Sequence, residues 1–232
     1  MERINKYLAS VGVGSRRKID QLIEDRRIKI DGKHAIAGQK VENTSIIEID
    51  GNVIDIKKPD FIYILLNKPK GVVTTVSDEL GRRSVIDLIN IKDKIYPIGR
   101  LDRNTTGVIL LTNDGRLANK LMHPKSNVNK TYRVTINRML EEADFKHISN
   151  GVVIDGEKTL PAKLSYLTKD KKVIKMTIHE GRNHQIRKIF ELLDYEILAL
   201  DRINYLFLTY YGLKAGEWRH LTAKEVEQLK KI

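Results

Sequence analysis

The chain has 232 residues, 42 of them Lys or Arg against 30 Asp or Glu, for a net charge of +12 and no cysteine. The missing cysteines exclude disulfides, a thiolate nucleophile and Cys-ligated metal sites. No apolar run approaches the ~18 residues of a membrane-spanning helix, and the opening MERINKYLASVG lacks a signal-peptide core, so the expected compartment is the cytoplasm. The basic excess points to a polyanionic partner, nucleic acid before membrane, with a basic surface kept for solubility as the alternative.

In chain order, Ile4, Leu8 and Val11 recur at helical spacing until Gly12 and Gly14 break the pattern. Ser15 suits the N-cap of a second helix ending near Asp25, with Ile19, Leu22 and Ile23 on one face. A strand over 28–30 leads into the turn Asp31-Gly32, and a late strand follows over 47–49. The polar, proline-containing stretch 57–60 reads as a linker, which separates a domain over 1–58 from one over 59–232. The second domain is expected to carry strands over 61–66, 72–75, 108–112, 131–136, 162–167 and 173–179. Helices are expected over 84–88, 114–122, 141–149 and 183–193, and a last one begins near Thr222 with Glu225 completing a capping box. The elements lack simple βαβ alternation. The expected class is therefore α+β: a small α/β domain, then a mixed, mostly antiparallel sheet.

Three windows carry candidate chemistry. The segment 15–29 holds six cations, with Arg16, Arg17 and Lys18 in the first turn of a helix, where the macrodipole disfavours them. A phosphate backbone would offset that cost; a solvated charged face, with Asp20, Glu24 and Asp25 interleaved, is the other reading. The window GRLDRNTTGVILLTNDG (99–115) sets Asp102 between Arg100 and Arg103, just before an apolar run that reads as a buried strand. Such a carboxylate is a candidate nucleophile or base, or an ordinary turn residue. Asp114, the other carboxylate there, is placed as a helix N-cap. Alternation puts Tyr132 on the apolar face of its strand, as core or as an aromatic platform for a base. In EGRNHQIRKIF (180–190), Arg182, His184, Gln185 and Arg187 gather where a strand ends and a helix starts, a place suited to an anion or to bland polar caps. The spacing implies no metal site.

These windows resemble those of the RsuA/RluB-type pseudouridine synthases. GRLDxxTxG, with Asp102, is similar to the family's catalytic segment, KTY (130–132) to its K-x-Y motif, and GRNHQIR (181–187) to G-R-x-x-Q-[IVL]-R. NKPKG (67–71) and LALDR (198–202) resemble two further motifs. Residues 3–9, 12–18 and 28–32 are similar to an S4 RNA-binding domain, and the resemblance covers nearly the whole chain in the family's order. It implies isomerisation of a uridine in ribosomal RNA, with no cofactor: the N1–C1′ bond breaks, the base turns, and C5 joins C1′. It implies that Asp102 is catalytic, that Tyr132 stacks on the flipped uracil, and that Arg187 pairs with Asp102, orienting it and favouring its charged form. Lys68, Arg100 and Leu200 would surround the substrate pocket. Arg3, Lys6, Arg16, Arg17 and Lys18 would contact RNA from the S4-like domain, and Arg182, His184 and Gln185 from the catalytic one. Whether Asp102 attacks C1′ or removes a ribose proton stays open.

The chain departs from the family at two places: His184 stands where relatives often carry Arg, and 203–207 lacks a glycine that relatives keep. The likeness of 216–222 to enzymes of the large subunit favours 23S over 16S rRNA. A monomer is the expected state. Two other classes compete: a non-catalytic S4-type RNA-binding factor, and a carboxylate-dependent glycosidase or nuclease. A glycosidase needs a second carboxylate nearby.

Overall fold

The computed structural model describes residues 1–42, 44–54 and 60–232. They form two compact units, Met1–Phe61 and Ile62–Ile232. Of the linker expected over 57–60, only Asp60 is among the described residues.

The first unit contains β1 (Glu2–Arg3), α1 (Ile4–Ser10), α2 (Arg16–Glu24), β2 (Ile28–Ile30), β3 (Lys33–His34), β4 (Lys40–Val41), β5 (Ile47–Ile49) and β6 (Asn52–Val53). Ser15 caps α2 as its residue type predicts, its hydroxyl accepting from Lys18 N at 3.1 Å. Ile4, Leu8, Ile19, Leu22 and Ile23 turn inward against Ile28 and Ile47. The antiparallel sheet runs β3-β2-β5-β6, and β1 pairs with β4. Asp31 (φ 51°) and Gly32 (φ 79°) make the turn between β2 and β3. Two left-handed residues in a row match the strands' right-handed twist. Asn5 Nδ2 donates to Asp20 Oδ1 at 2.8 Å, joining α1 to α2.

The second unit contains β7 (Tyr63–Lys68), β8 (Tyr96–Pro97), β9 (Thr105–Thr112), α3 (Gly115–Met122), β10 (Lys130–Ile136), α4 (Glu142–Asn150), β11 (Val153–Ile154), β12 (Glu157–Lys158), β13 (Lys163–Tyr166), β14 (Val173–Ile178), α5 (Gln185–Leu192), β15 (Ile197–Tyr205), β16 (Leu208–Thr209), β17 (Trp218–His220) and α6 (Ala223–Lys230). Its main sheet is ordered β13-β14-β10-β15-β9-β7-β17. Only β15 and β9 run parallel; the other pairings are antiparallel. The class is therefore the mixed, mostly antiparallel α+β one expected.

The apolar runs of β7 and β9 are continuous because both faces of these strands are covered. Ile64, Leu66, Ile109 and Leu111 join one core with Ile186, Ile189 and Phe190 of α5. Leu65, Val108 and Leu110 join the other with Leu117 and Leu121 of α3 and Leu229 of α6. Asp114 caps α3, its Oδ1 accepting from Arg116 N and Leu117 N and its Oδ2 from the Tyr63 hydroxyl at 2.9 Å. The capping box of Thr222 and Glu225 is also present.

Three expectations need correction. Residues 72–75 form no strand; Val73 makes a single bridge to Ser84. Thr74 instead directs its hydroxyl to Leu101, donating to the carbonyl at 2.8 Å and accepting from the amide at 3.2 Å. The helix over 84–88 shrinks to a 3₁₀ turn, Ile86–Leu88. Strand β15 was not foreseen, because the buried charges Asp201 and Arg202 interrupt its apolar pattern. Asp201 is tolerated there because the hydroxyls of Thr106 (2.7 Å) and Tyr210 (2.5 Å) and Arg133 Nη2 (2.9 Å) all bond to it.

Candidate active site

Asp102 occupies the loop three residues before β9, and two side loops hold that loop in place. Gly71 N donates to Arg103 O at 2.8 Å, Arg103 Nε returns a bond to Gly71 O at 3.3 Å, and Thr74 clasps Leu101 as above. Beneath them the Lys68 ammonium, fully buried, donates to the carbonyls of Pro69 (3.1 Å), Arg103 (3.3 Å) and Thr105 (2.8 Å). Burial brings this lysine down to about 8, with Asp102 pulling it up and Arg202 pushing it further down. Lys68, expected around the substrate pocket, thus lies under the Asp102 loop: its three donors are committed to backbone, and it is not among the residues that line the cleft.

The side chains that reach Asp102 come from α5 and its N-cap, not from its sequence neighbours. Arg187 Nε lies 3.4 Å from Asp102 Oδ2, and Arg187 Nη2 donates to Thr105 Oγ1 at 3.4 Å. His184 Nε2 lies 3.5 Å from Oδ1. His184 takes a left-handed conformation (φ 51°) at the N-cap of α5, which turns its half-exposed ring towards the carboxylate. Asp102 keeps about a third of its side-chain surface open (35% exposed), enough to meet a ligand while held from one side.

A cleft of about 1300 Å³ surrounds it, lined among others by Arg100, Tyr132, His184, Arg187 and Leu200. Tyr132 is buried and lies on β10 opposite Arg202 of β15, and Leu200 lies opposite Val134. Leu200 also pairs with Thr105 across the parallel β15–β9 contact. Residues distant in sequence thus line one cleft with Asp102 because β15 lies between β9 and β10.

Arg182 and Gln185, expected to contact RNA, line the cleft with their side chains engaged within the protein. Arg182 Nε is 3.2 Å from Glu180 Oε2, and its other nitrogens donate to the carbonyls of Glu157 (3.2 Å) and Lys158 (2.8 Å). Gln185 is buried, accepting from Arg182 N at 3.1 Å and donating to Glu180 Oε1 at 2.7 Å. Both brace the turn that presents His184 and Arg187. In the first unit, Arg3, Arg16, Arg17 and Lys18 are exposed, and Lys6 is 3.0 Å from Glu2 Oε1. Among the described residues no ion pair engages Arg16 or Arg17, and the first turn of α2 holds no acid.

The cleft residues that sequence reading did not single out include Lys130 and Arg202. Lys130 could have been found by alternation, since it shares a strand face with Tyr132. Arg202 could not, because a register shift between β10 and β15 decides which face it takes. Among the described residues no helix is long and apolar enough to cross a membrane.

The profile described as RNA pseudouridylate synthase matches residues 62–192, and that of the S4 domain matches residues 2–45. The chain is 42% identical to the ribosomal large subunit pseudouridine synthase B of Bacillus subtilis (strain 168), over 100% of this chain and 97% of that one. It is 35% identical to the dual-specificity RNA pseudouridine synthase RluF of Escherichia coli (strain K12), over 99% and 79% of the two chains. A solved structure titled as a pseudouridylate synthase superposes with a TM-score of 0.72 at 29% identity, covering 99% of this chain and 100% of that one.

Proposed function

The chain belongs to the RNA pseudouridylate synthase family, and on that premise we propose that it converts a uridine of 23S ribosomal RNA to pseudouridine with Asp102 as the catalytic carboxylate. The observation that carries the residue assignment is Asp102 itself. It stands open to a cleft while Arg187 approaches its Oδ2 at 3.4 Å, so the carboxylate is oriented before substrate arrives. The choice of 23S rRNA rests on end-to-end similarity to the large-subunit enzyme of Bacillus subtilis.

Asp102 must reach the ribose, either attacking C1′ or taking a ribose proton, and the loop clasped at Gly71 and Thr74 fixes its depth. Tyr132, buried on the cleft wall, serves as the platform for the uracil once it leaves the helical stack, and Leu200 closes the apolar side. Residues 59–232 then act as the catalytic domain and 1–58 as the S4-type domain that grips RNA. One chain supplies Asp102, Tyr132 and Arg187 to one cleft, which supports a monomer, acting in the cytoplasm where ribosomes are assembled.

Pseudouridine mapping of both rRNAs, from cells lacking the gene and from complemented cells, tests the reading. One 23S site should vanish and return with the wild-type gene. An unchanged map makes the chain a binding factor instead.

The cations of α2 should act by phosphate contact. Arg16→Ala with Arg17→Ala should weaken rRNA binding and lower the slope of log K against log salt by about 1.5 to 2, the loss of two phosphate contacts. Filter binding across a salt series measures this, and an unchanged slope removes both residues from the interface.

A further inference from the structure

Strands β10 and β15 pair with a register shift. Thr131 faces Asn204, but Tyr132 faces Arg202, so Ile203 is skipped. Such a bulge re-aims the side chains beyond it. Here it turns Arg202 inward, to 2% exposure, while Asp201 takes the opposite face with Arg133. Arg202 Nε is fixed on Val108 O at 2.7 Å. Its Nη2 is buried and lacks a hydrogen-bond partner among the described residues, which is unusual for so strong a donor.

Lys130 stands two residues from Tyr132, on the same face of β10, and lines the same cleft. Its ammonium donates to Val128 O at 3.2 Å, and no carboxylate pairs with it among the described residues. One wall of the cleft therefore gathers two cations beside an aromatic ring, and the Glu180 carboxylate, which also lines the cleft, is engaged by Arg182 and Gln185. A base stacked on Tyr132 would present a carbonyl edge to that corner. A hydrated phosphodiester belongs instead at the open rim, where Arg100 and His184 are exposed.

We infer that Lys130 and Arg202 form an anion-stabilising corner that takes the negative charge of the uracil when its glycosidic bond breaks, Lys130 by direct contact and Arg202 by its buried charge. The inference rests on the functional reading above. When N1–C1′ breaks, the bonding pair leaves with the base and spreads over N1, O2 and O4. The base then turns, C5 bonds to C1′, and the C5 proton is lost as N1 gains one, so no outside reactant is consumed. Fixed donors aimed at charge that develops only in the transition state accelerate the step without tightening ground-state binding.

Burial, then Arg202, bring the Lys130 ammonium down to about 8, against an upward pull from Glu180. The protonated form is the useful one, so the rate should fall as pH rises through about 8.

The test uses full-length protein in excess over in vitro transcribed 23S and 16S rRNA, following pseudouridine formation in a single turnover. Lys130→Gln should lower the rate about 10²-fold with RNA affinity within about threefold of wild type. Lys130→Arg should retain most of the rate and lose the decline above pH 8. A full rate in Lys130→Gln overturns the inference. So does a loss that saturating RNA restores and that comes with a shallower salt slope, which would make Lys130 a phosphate contact. A wild-type protein that binds both RNAs yet forms no pseudouridine overturns the functional reading itself.

Discussion

Asp102→Asn is expected to bind rRNA within a few-fold of wild type while its single-turnover rate falls by about 10³-fold or more. The amide keeps the size and shape of the carboxylate, and Asp102 belongs to a loop held by Lys68, Gly71 and Thr74 rather than by its own side chain. The fold and the RNA surface should therefore survive. The charge that could attack C1′ or accept a proton is removed, and the loss should appear in the chemical step and not in affinity. Rapid-quench kinetics beside equilibrium binding separates the two. Full activity in Asp102→Asn would remove the carboxylate from the mechanism.

Gly107→Ala should strongly destabilise the second unit. Gly107 lies inside β9 with φ at +102°, and a Cβ there would sit 2.3 Å from Arg202 O and 2.7 Å from Asp201 Oδ1. The clash is with backbone of β15, which pairs in parallel with β9 at this point and cannot retreat without opening the sheet beside Asp102. Strain and steric conflict of this kind cost about 3 kcal/mol or more, a fall in melting temperature of about 6–12 °C for a unit of this size. Gly115→Ala is the control: it opens α3, has nothing within 4 Å of its built Cβ, and should stabilise by a few tenths of a kcal/mol. Thermal melts of both variants decide the matter. A Gly107→Ala protein as stable as wild type would mean that β9 and β15 are not held this closely.

The same contact explains what reading along the chain could and could not reveal. Local rules worked where one residue type answers a local need. Ser15, Asp114 and Thr222 cap helices because their side chains reach the free amides of the first turn. The continuous apolar runs of β7 and β9 mark strands buried on both faces, and Asp31-Gly32 marks a turn. Local rules failed where tertiary partners replaced them. Residues 72–75 carry strand formers, yet Thr74 bonds to Leu101 and the ladder never forms. Strand β15 carries Asp201 and Arg202 in its middle, and partners from other strands, with Tyr210 just beyond β15, make their burial tolerable.

The candidate site divides in the same way. The motif windows around Asp102, Tyr132 and Arg187 were legible because their residue types and spacing are unusual and resemble one family throughout. Of the contacts, the resemblance implied Arg187 on Asp102, which the structure places at 3.4 Å, whereas the approach of His184 was not legible. The sequence sets Arg100 and Arg103 beside Asp102, but the chain folds His184 and Arg187 onto it instead. Lys68, expected around the pocket, and Arg182 and Gln185, expected on RNA, spend their donors within the protein, Lys68 under the Asp102 loop and the other two at the cleft wall.

Composition, caps, periodicity and motifs determined by themselves the basic character of the chain, the mixed α+β class and the windows that resemble one family. The tertiary structure alone decided the strand order that inserts β15 between β9 and β10, the bulge at Ile203 that turns Arg202 inward, and the close approach at Gly107. Those features depend on pairing between segments up to about a hundred residues apart, and a register shift of one residue, invisible in either strand alone, reverses which side chains face the cleft.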